Sequence, residues 1–285
     1  MKQCIVLYFA FLITLISLPT VPLGTQTTSQ TEFITIAILA KDKAHTLPLL
    51  LKCIEHQTWP AEKTYIYIRT NNNNDNTKEL LEAWVNTVQG RYAKIYFNGE
   101  NVEQPVEQYK QHEWNSTRFK VLGKIRQDSV TWAYENNSHY FVVDCDNFIQ
   151  PNTVEAMFHA NMPIVAPFLT CSTWYGYSNY HAAVDENGYY AHNDEYMTIY
   201  YRHVLGIHQV PVVHCTYFIR HENLPSISYD DDSYRYEYVI FSAVARQNNV
   251  PQYLDNREMY GYISFAETSE ALLQDSCVAE ANKWF

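Results

Sequence analysis

Short apolar runs alternate with segments of helical periodicity over the first third of the chain, and this alternation constrains the fold most strongly. Residues 33–39 are almost entirely apolar, as expected for a strand buried on both faces. Between residues 47 and 54 the leucines and isoleucine recur at i, i+3, i+4 and i+7, which predicts a helix. Two further apolar runs, 64–68 and 93–97, lie on either side of a helical segment at 77–88. A βαβαβ succession predicts an α/β fold, with a mostly parallel sheet and flanking helices.

The N-terminal residues have the pattern of a targeting segment. Residues 5–18 are apolar apart from two hydroxyl residues, and prolines and a glycine follow. Because this run is shorter than the roughly 20 residues that span a bilayer, we expect residues 1–24 to be a cleaved signal peptide. Residues 25–31 are predicted to be a polar tether, and residues 32–285 to form one domain. The alternative is an uncleaved membrane anchor, and only in that case would the protein be membrane-bound.

A signal peptide would place the protein in the lumen of the endoplasmic reticulum or Golgi, or outside the cell. The N-glycosylation triplets at Asn115 and Asn136 agree with that location. The sequence has no C-x-x-C pair, which argues against a structural zinc site.

The charge of the chain limits its partners. The formal net charge is −11, which argues against a nucleic-acid-binding protein because such proteins carry clustered Lys and Arg. The sequence contains neither G-x-G-x-x-G nor G-x-x-x-x-G-K-[ST]. A bound phosphate group would therefore need to be held in another way.

Polar residues follow three of the predicted strands, where an open parallel sheet binds its ligands. A buried strand at 140–143 leads directly into an acidic pair at i and i+2. The strand-end residues are Ala40, Lys41, Thr70, Asn71, Asp144, Cys145 and Asp146. We expect them to converge on one crevice.

Asp144 and Asp146 are the strongest candidates for chemistry in this set. Two carboxylates one residue apart at a strand end can point into the same space, and such hard oxygen ligands suit Mg²⁺ or Mn²⁺. A metal held there would bind the diphosphate of a nucleotide. The alternative interpretation is a solvated acidic turn.

Much of the chain resembles the N-terminal glycosyltransferase domain of the procollagen (hydroxylysine) galactosyltransferases and of the related cerebral endothelial cell adhesion molecule. The matching stretches occur in the family's order over residues 33–265: ILAKDKAHTLP at 38–48, NDNTKELLEAW at 74–84, HYFVVDCDNFIQPNT at 139–153, PIVAPFL at 163–169, NGYY at 187–190, VPVVHCT at 210–216 and MYGY at 259–262. The resemblance implies an A-type nucleotide-sugar transferase fold with a Rossmann-like sheet, a UDP-sugar donor, Mn²⁺ dependence and inversion at the sugar carbon.

The sequence also departs from that family. The full-length galactosyltransferases carry a second transferase domain and a lumenal retention signal beyond the point where this sequence stops. An acidic pair of the family precedes the helix that contains Val239, whereas Tyr236 and Glu237 stand there in this chain. The identity of a catalytic base therefore stays open.

An inverting transfer needs a general base for the acceptor hydroxyl. Glu237 is the first choice because it begins a predicted helix, whose dipole stabilises an anion. Asp232, with its neighbours Asp230 and Asp231, is the alternative, although an acidic run is more often an exposed loop. Glu237 can equally be a helix-start carboxylate without a chemical role.

The remaining site predictions concern the donor and the metal. His214 is predicted to be a third metal ligand, the alternative being a hydrogen-bonded core histidine. Arg126 is predicted to reach the diphosphate because a guanidinium suits phosphate oxygens. Within the strand-end set, Ala40, Lys41, Thr70 and Asn71 are expected to line the uridine pocket. Trp174 and Tyr175 are the aromatic residues expected to stack on a sugar or an acceptor.

Taken with the resemblance, these observations favour a metal-dependent inverting hexosyltransferase. The donor would be a UDP-sugar, with galactose as the expected sugar, and the acceptor a hydroxyl of a collagen-like protein or of another glycan. The alternative is an inactive secreted binding or adhesion protein on the same fold. A phosphatase or nuclease is disfavoured, because no second-metal carboxylate cluster and no basic groove is apparent in the sequence.

Overall fold

A computed structural model describes residues 32–103, 115–171 and 176–285. The predicted signal peptide, the predicted tether and the two aromatic residues Trp174 and Tyr175 lie outside these ranges.

The described residues form an α/β structure. The strands are β1 (Ile34–Ala40), β2 (Thr64–Thr70), β3 (Lys94–Asn98), β4 (His139–Asp144), β5 (Asn147–Ile149), β6 (Ile164–Pro167), β7 (Leu169–Cys171), β8 (Tyr180–His181), β9 (Ile207–Val210), β10 (Val212–Val213), β11 (Thr216–Ile219), β12 (Gln252–Asp255) and β13 (Gly261–Ile263). The α-helices are α1 (Leu47–Glu55), α2 (Thr77–Thr87), α3 (Ser116–Glu135), α4 (Thr153–His159), α5 (Asp194–Tyr200), α6 (Glu237–Gln247), α7 (Ser269–Gln274) and α8 (Ser276–Ala281).

The main sheet has eight strands in the order β3-β2-β1-β4-β11-β6-β12-β9. Strands β1 to β4 pair in parallel, and β6 pairs in parallel with β12. β11 runs antiparallel between β4 and β6, and β9 runs antiparallel at the edge. The predicted α/β class with a mostly parallel sheet is therefore confirmed. A three-stranded sheet, β5-β13-β7, and a two-stranded sheet, β10-β8, complete the structure.

The main sheet is covered on both faces, which explains why its central strands β1 and β4 are apolar at nearly every position. Ile36 and Phe141 belong to one buried cluster, which also contains the apolar residues of α1. Their neighbours Ala37 and Val142 belong to a second cluster, which includes residues of α3 and α6. Because successive side chains of a strand point to opposite faces, the two clusters lie on the two sides of the sheet.

The start of α2 is joined to the loop after β1. Thr77 is the first residue of that helix, and its hydroxyl accepts a hydrogen bond from the backbone N–H of Lys43 at 2.7 Å. Asn187 and Gly188 lie in a turn, in which the N–H of Gly188 donates to the carbonyl of Asp185 at 3.1 Å, and a bridge joins the flanking residues Val184 and Tyr190.

None of the helices in the described ranges is long and apolar enough to cross a membrane.

Candidate active site

A cleft of about 430 Å³ opens at the carboxyl ends of β1 and β4. β4 ends at Asp144, whose backbone N–H donates to the carbonyl of Cys215 at 3.2 Å. Since β11 runs antiparallel to β4, the residues just before β11 reach the same edge of the sheet. The cleft is therefore built from strand ends that are distant in sequence.

Asp144 is held in this cleft by a buried arginine. Arg126 Nη2 donates to Asp144 Oδ1 at 2.7 Å, and the two side chains are 6% and 26% exposed. Arg126 comes from α3, which packs against β4. The sequence predicted that Arg126 would reach a diphosphate, and the structure places it beside the first carboxylate of the acidic pair.

Glu237 lies on the other side of the same guanidinium. Its Oε1 is 3.5 Å from Arg126 Nε, and both side chains are 6% exposed. Glu237 is the first residue of α6, and it lines the cleft. One arginine therefore serves two carboxylates that are 93 residues apart, since Asp144 and Glu237 both contact it.

Burial perturbs the ionisation of these carboxylates. It raises the pKa of Asp144 above its usual range, against the lowering effect of Arg126, and the charge of Asp146 adds to the rise. Burial likewise raises the pKa of Glu237, although Arg126 opposes this change. A buried carboxyl with a raised pKa is a typical feature of functional sites.

Asp146 pairs with a lysine that the sequence predictions did not include. Lys43 Nζ lies 2.7 Å from Asp146 Oδ2, and both residues line the cleft. Burial tends to lower the pKa of Lys43, but the charge and hydrogen bond of Asp146, together with the charge of Asp144, raise it overall. The ammonium therefore stays charged beside the acidic pair.

A group of aromatic and imidazole rings forms the wall near β11. His214 lies 5.4 Å from His181 and 5.3 Å from Tyr238, measured between ring centroids, and all three line the cleft. His214 Nδ1 is 2.9 Å from the sulfur of Cys215. Burial, with His181 and Arg126 nearby, keeps the pKa of His214 well below its usual value, so its ring is neutral.

The predicted uridine-binding residues divide into two groups. Ala40, Lys41 and Asn71 line the cleft, as does Cys145 between the two aspartates. Thr70 does not: its side chain is fully buried, and its hydroxyl accepts a hydrogen bond from Asn73 Nδ2 at 2.7 Å. Thr70 therefore supports the loop after β2 from beneath.

Asp232 lies outside the lining of the cleft, on the exposed loop before α6. Its backbone has a φ of 62°, and its N–H donates to Asp230 Oδ1 at 3.1 Å. Asp231 pairs with Arg235 in the same loop. This acidic run therefore forms local turns, whereas Glu237 is placed in the cleft.

The carboxylates at the cleft fit a metal ion whose remaining coordination positions are filled by oxygen atoms of the substrate and by water. Among the described residues, no three His, Cys, Asp or Glu side chains are arranged to hold a metal, so Asp144, Asp146 and His214 are not gathered as a closed set. Asp144 and Asp146 nevertheless offer two hard carboxylates to one cleft. Mg²⁺ and similar ions are usually bound by one or two carboxylates together with phosphates and water, rather than by a complete protein cage.

Two important cleft residues escaped prediction for different reasons. Lys43 lies two residues after Lys41 in a polar stretch that follows β1, so its position was a usable signal. His181 belongs to the short strand β8, and only the pairing of β8 with β10 brings it beside His214. No local pattern in the sequence marks such an approach.

Comparison with known proteins gives a family and several relatives. The sequence profile described as glycosyltransferase family 25, N-terminal domain, matches residues 31–281. Procollagen galactosyltransferase 2 of Mus musculus is 32% identical over 251 residues, which are 84% of this chain and 40% of the relative. Inactive glycosyltransferase 25 family member 3 of Homo sapiens is 28% identical over 256 residues, covering 86% of this chain and 42% of the relative. The chain thus spans about two fifths of these relatives.

Solved structures share the fold at low sequence identity. The crystal structure of S. aureus TarS 1-349 in complex with UDP superposes with a TM-score of 0.52, at 13% identity, and covers 88% of this chain and 69% of that one. S. aureus TarS 1-349 without UDP in its description gives a TM-score of 0.53 at 12% identity, with the same coverage. These likenesses support the predicted A-type nucleotide-sugar transferase fold.

Proposed function

The chain belongs to glycosyltransferase family 25, and from this membership we propose that it transfers a hexose from a UDP-sugar to a hydroxyl acceptor. Galactose is the proposed sugar, since several relatives are named procollagen galactosyltransferases. Because the chain spans about two fifths of those relatives, its activity and its substrates are proposals about this chain.

One observation carries the proposal. The acidic pair Asp144 and Asp146 and the buried carboxyl of Glu237 lie in one cleft, with Arg126 between Asp144 and Glu237. A sugar transfer that inverts configuration needs a site for the leaving diphosphate and a base for the incoming hydroxyl. This cleft offers residues for both tasks.

The leaving group would be bound by the acidic pair and its neighbouring cations. Asp144 and Asp146 would hold Mn²⁺ or Mg²⁺, which supplies positive charge to the diphosphate as it leaves. Lys43 and Arg126 are permanent cations at the same place, and both suit phosphate oxygens. They would orient the diphosphate and share its developing negative charge.

The order of the strands sets the direction of the donor. Ala40 and Asn71, at the ends of β1 and β2, would contact the nucleoside, and the diphosphate would lie over the end of β4. The next strand in the sheet is β11. The sugar would therefore lie near the residues that precede β11.

Glu237 is the proposed general base. Burial raises the pKa of its carboxyl, which strengthens it as a proton acceptor. Glu237 would take the proton of the acceptor hydroxyl while that oxygen bonds to the anomeric carbon and the bond to UDP breaks. The exposed position of Asp232 favours Glu237 over that alternative.

The acceptor is proposed to be a hydroxyl of a collagen-like protein, such as hydroxylysine, or of another glycan. The net charge of −11 suits a basic acceptor chain. We place the reaction in the secretory-pathway lumen or outside the cell, on the basis of the apolar segment at residues 5–18.

A second function, binding without turnover, is favoured by one specific contact. Arg126 approaches Oε1 of Glu237, and an arginine so close to a carboxylate lowers its basicity. Two of the relatives are also described as inactive or probably inactive family members. A secreted binding or adhesion protein on the same fold would retain UDP without transferring sugar.

The experiment that tests the proposal measures UDP release from UDP-galactose, UDP-glucose and UDP-N-acetylhexosamines by the purified protein, with and without Mn²⁺. Asp146→Ala is compared with Asp128→Ala, which removes a half-exposed aspartate on α3. We expect Mn²⁺-dependent release that Asp146→Ala abolishes and Asp128→Ala preserves. UDP binding without release, also in the presence of collagen-like peptides, would favour the binding protein, and the absence of both would contradict the proposal.

A further inference from the structure

Buried polar atoms without a hydrogen-bond partner are concentrated around the cleft. Four cleft residues carry such atoms among the described residues: Arg126 at Nε and Nη1, Asn147 at Oδ1, His181 at Nδ1 and Glu237 at Oε2. An unsatisfied buried polar group costs about 1–3 kcal/mol, so each one needs an explanation. A ligand that completes these hydrogen bonds provides one.

The chemistry of these atoms indicates the kind of ligand. Arg126 can only donate, Glu237 as a carboxylate can only accept, and the Asn147 carbonyl oxygen can only accept. A neutral imidazole has one donor and one acceptor nitrogen. A group with several hydroxyls, each of which donates and accepts, matches this mixed set, whereas a phosphate, which at neutral pH mainly accepts, does not.

His181 stands where the sugar of a donor would lie. It belongs to β8, and its ring is 5.4 Å from that of His214, which precedes β11. In the main sheet β11 is next to β4, where the diphosphate is proposed to bind. A hexose attached to the second phosphate therefore faces the wall that contains His181.

The surroundings of His181 keep it neutral and suited to a hydroxyl. Only 8% of the residue is exposed, and burial lowers its pKa to about 4. Its ring contacts Tyr190 edge-on at 5.4 Å and Tyr238 at 5.8 Å, with no carboxylate among these ring neighbours. Its buried Nδ1 has no hydrogen-bond partner, so this nitrogen is available to a hydroxyl of a ligand.

We propose that the imidazole of His181 hydrogen-bonds a hydroxyl of the hexosyl group of the donor and thereby helps to select the sugar. Asn147 also lines the cleft, and its Nδ2 donates to Thr216 Oγ1 at 2.8 Å. Its carbonyl oxygen has no hydrogen-bond partner and is the second candidate contact. This inference rests on the proposed function, because it takes a UDP-sugar as the ligand.

The test compares the affinities of UDP and of UDP-sugars by titration calorimetry in the presence of Mn²⁺. His181→Phe removes both ring nitrogens and keeps an aromatic side chain, and His181→Asn keeps a polar group of smaller size. His192→Phe is the matched control, because His192 is an exposed histidine outside the cleft lining. Unchanged UDP binding by a variant reports that it is folded.

For wild type we expect the preferred UDP-hexose to bind more tightly than UDP. His181→Phe should weaken UDP-hexose binding about tenfold to a hundredfold and leave UDP binding unchanged, with a smaller loss in His181→Asn. Donors that lack one hydroxyl sharpen the result. For one of these donors, the affinity for wild type should be as low as the affinity of the complete donor for His181→Phe. The affinity of that donor should not fall further in His181→Phe.

Four outcomes would overturn the inference. Equal losses for UDP and UDP-hexose in His181→Phe would mean a general effect on the fold or on the nucleotide site. No loss for either ligand, with an increased KM for the acceptor, would assign His181 to the acceptor instead. If wild type binds UDP but discriminates no sugar, the donor-sugar contact fails while the nucleotide site stands, and if wild type binds no UDP, the proposed function itself fails.

Discussion

Arg126 and Glu237 approach to 3.5 Å between Nε and Oε1 in the interior of the protein, and the same guanidinium bonds Asp144. Removing Arg126 would leave the buried Glu237 and the partly buried Asp144 without this counterion. We expect Arg126→Leu to reduce the free energy of unfolding by about 3–5 kcal/mol. Urea unfolding measures this difference.

The control for Arg126 is Lys124→Ala on the same helix. Lys124 is exposed and pairs with the exposed Asp128, so its loss should change the free energy of unfolding by less than about 1 kcal/mol. The double variant Arg126→Leu/Glu237→Leu should recover part of the stability, because it removes one of the abandoned charges. Equal effects of Arg126→Leu and Lys124→Ala would contradict this account of the network.

Glu237→Gln tests the choice of base. It keeps the size of the side chain but cannot accept the proton, so we expect kcat to fall by about 10²–10⁴ while UDP binding persists. Asp232→Asn should change kcat little, since Asp232 is exposed on a loop outside the cleft lining. Steady-state kinetics on both variants decide whether Glu237 or Asp232 is the general base. A larger loss of kcat in Asp232→Asn than in Glu237→Gln would assign the base to Asp232.

The pH dependence of kcat should report the same group. Burial raises the pKa of Glu237, so the base is lost by protonation at a higher pH than for an ordinary glutamate. We expect the rate to fall on the acid side with a midpoint above 4.5, the ordinary value for this group. If the residual kcat of Glu237→Gln falls on the acid side with the same midpoint as in wild type, the titrating group is not Glu237.

Lys43→Met should weaken the binding of UDP in the presence of Mn²⁺ by about tenfold, because a charge-assisted contact to the diphosphate is lost. Lys120→Met is the control, since Lys120 is an exposed lysine on α3. Titration with UDP and with uridine separates the contributions. Equal losses for the two ligands would show that Lys43 does not act through the phosphates.

His181 makes stability depend on pH. Burial lowers its pKa to about 4 in the folded protein, against 6.5 for an ordinary histidine. Between these values the unfolded chain binds more protons, so the free energy of unfolding falls as the pH falls from 6.5 toward 4. The loss from this group is about 2 kcal/mol at pH 5. Urea unfolding at pH 7.5 and pH 5 measures the difference in the free energy of unfolding between the two pH values. This difference should be smaller in His181→Phe than in wild type and unchanged in His192→Phe.

Part of the fold and of the site was predictable because it depends on local patterns. The apolar run before Asp144 marked a buried strand, and the carboxylates directly after it had to emerge at a sheet edge. Arg126 was predictable as a candidate residue of the site, but its contact with Glu237 requires α3 and α6 to pack together. Thr70 shows the limit of the strand-end argument, since side chains alternate between directions and this one is held beneath the loop.

His181 and Lys43 show why the rest of the site was not predictable. Lys43 is aimed at Asp146 by its loop, whose backbone is tied to Thr77 of α2. His181 meets His214 through a pairing of two short strands. Such contacts depend on the packing of distant segments, which single-sequence patterns do not record.

The antiparallel strand β11 has a consequence for synthesis on the ribosome. Asn147 and its partner Thr216 are 69 residues apart in the chain, and β11 occupies the place beside β4 that a parallel neighbour would otherwise take. Because the ribosome adds about 5–20 residues per second, several seconds pass between the synthesis of β4 and the synthesis of its neighbour β11. During that interval the nascent chain exposes an apolar, unpaired strand edge, so chaperone binding should be strongest after β4 has emerged and should end when β11 is added.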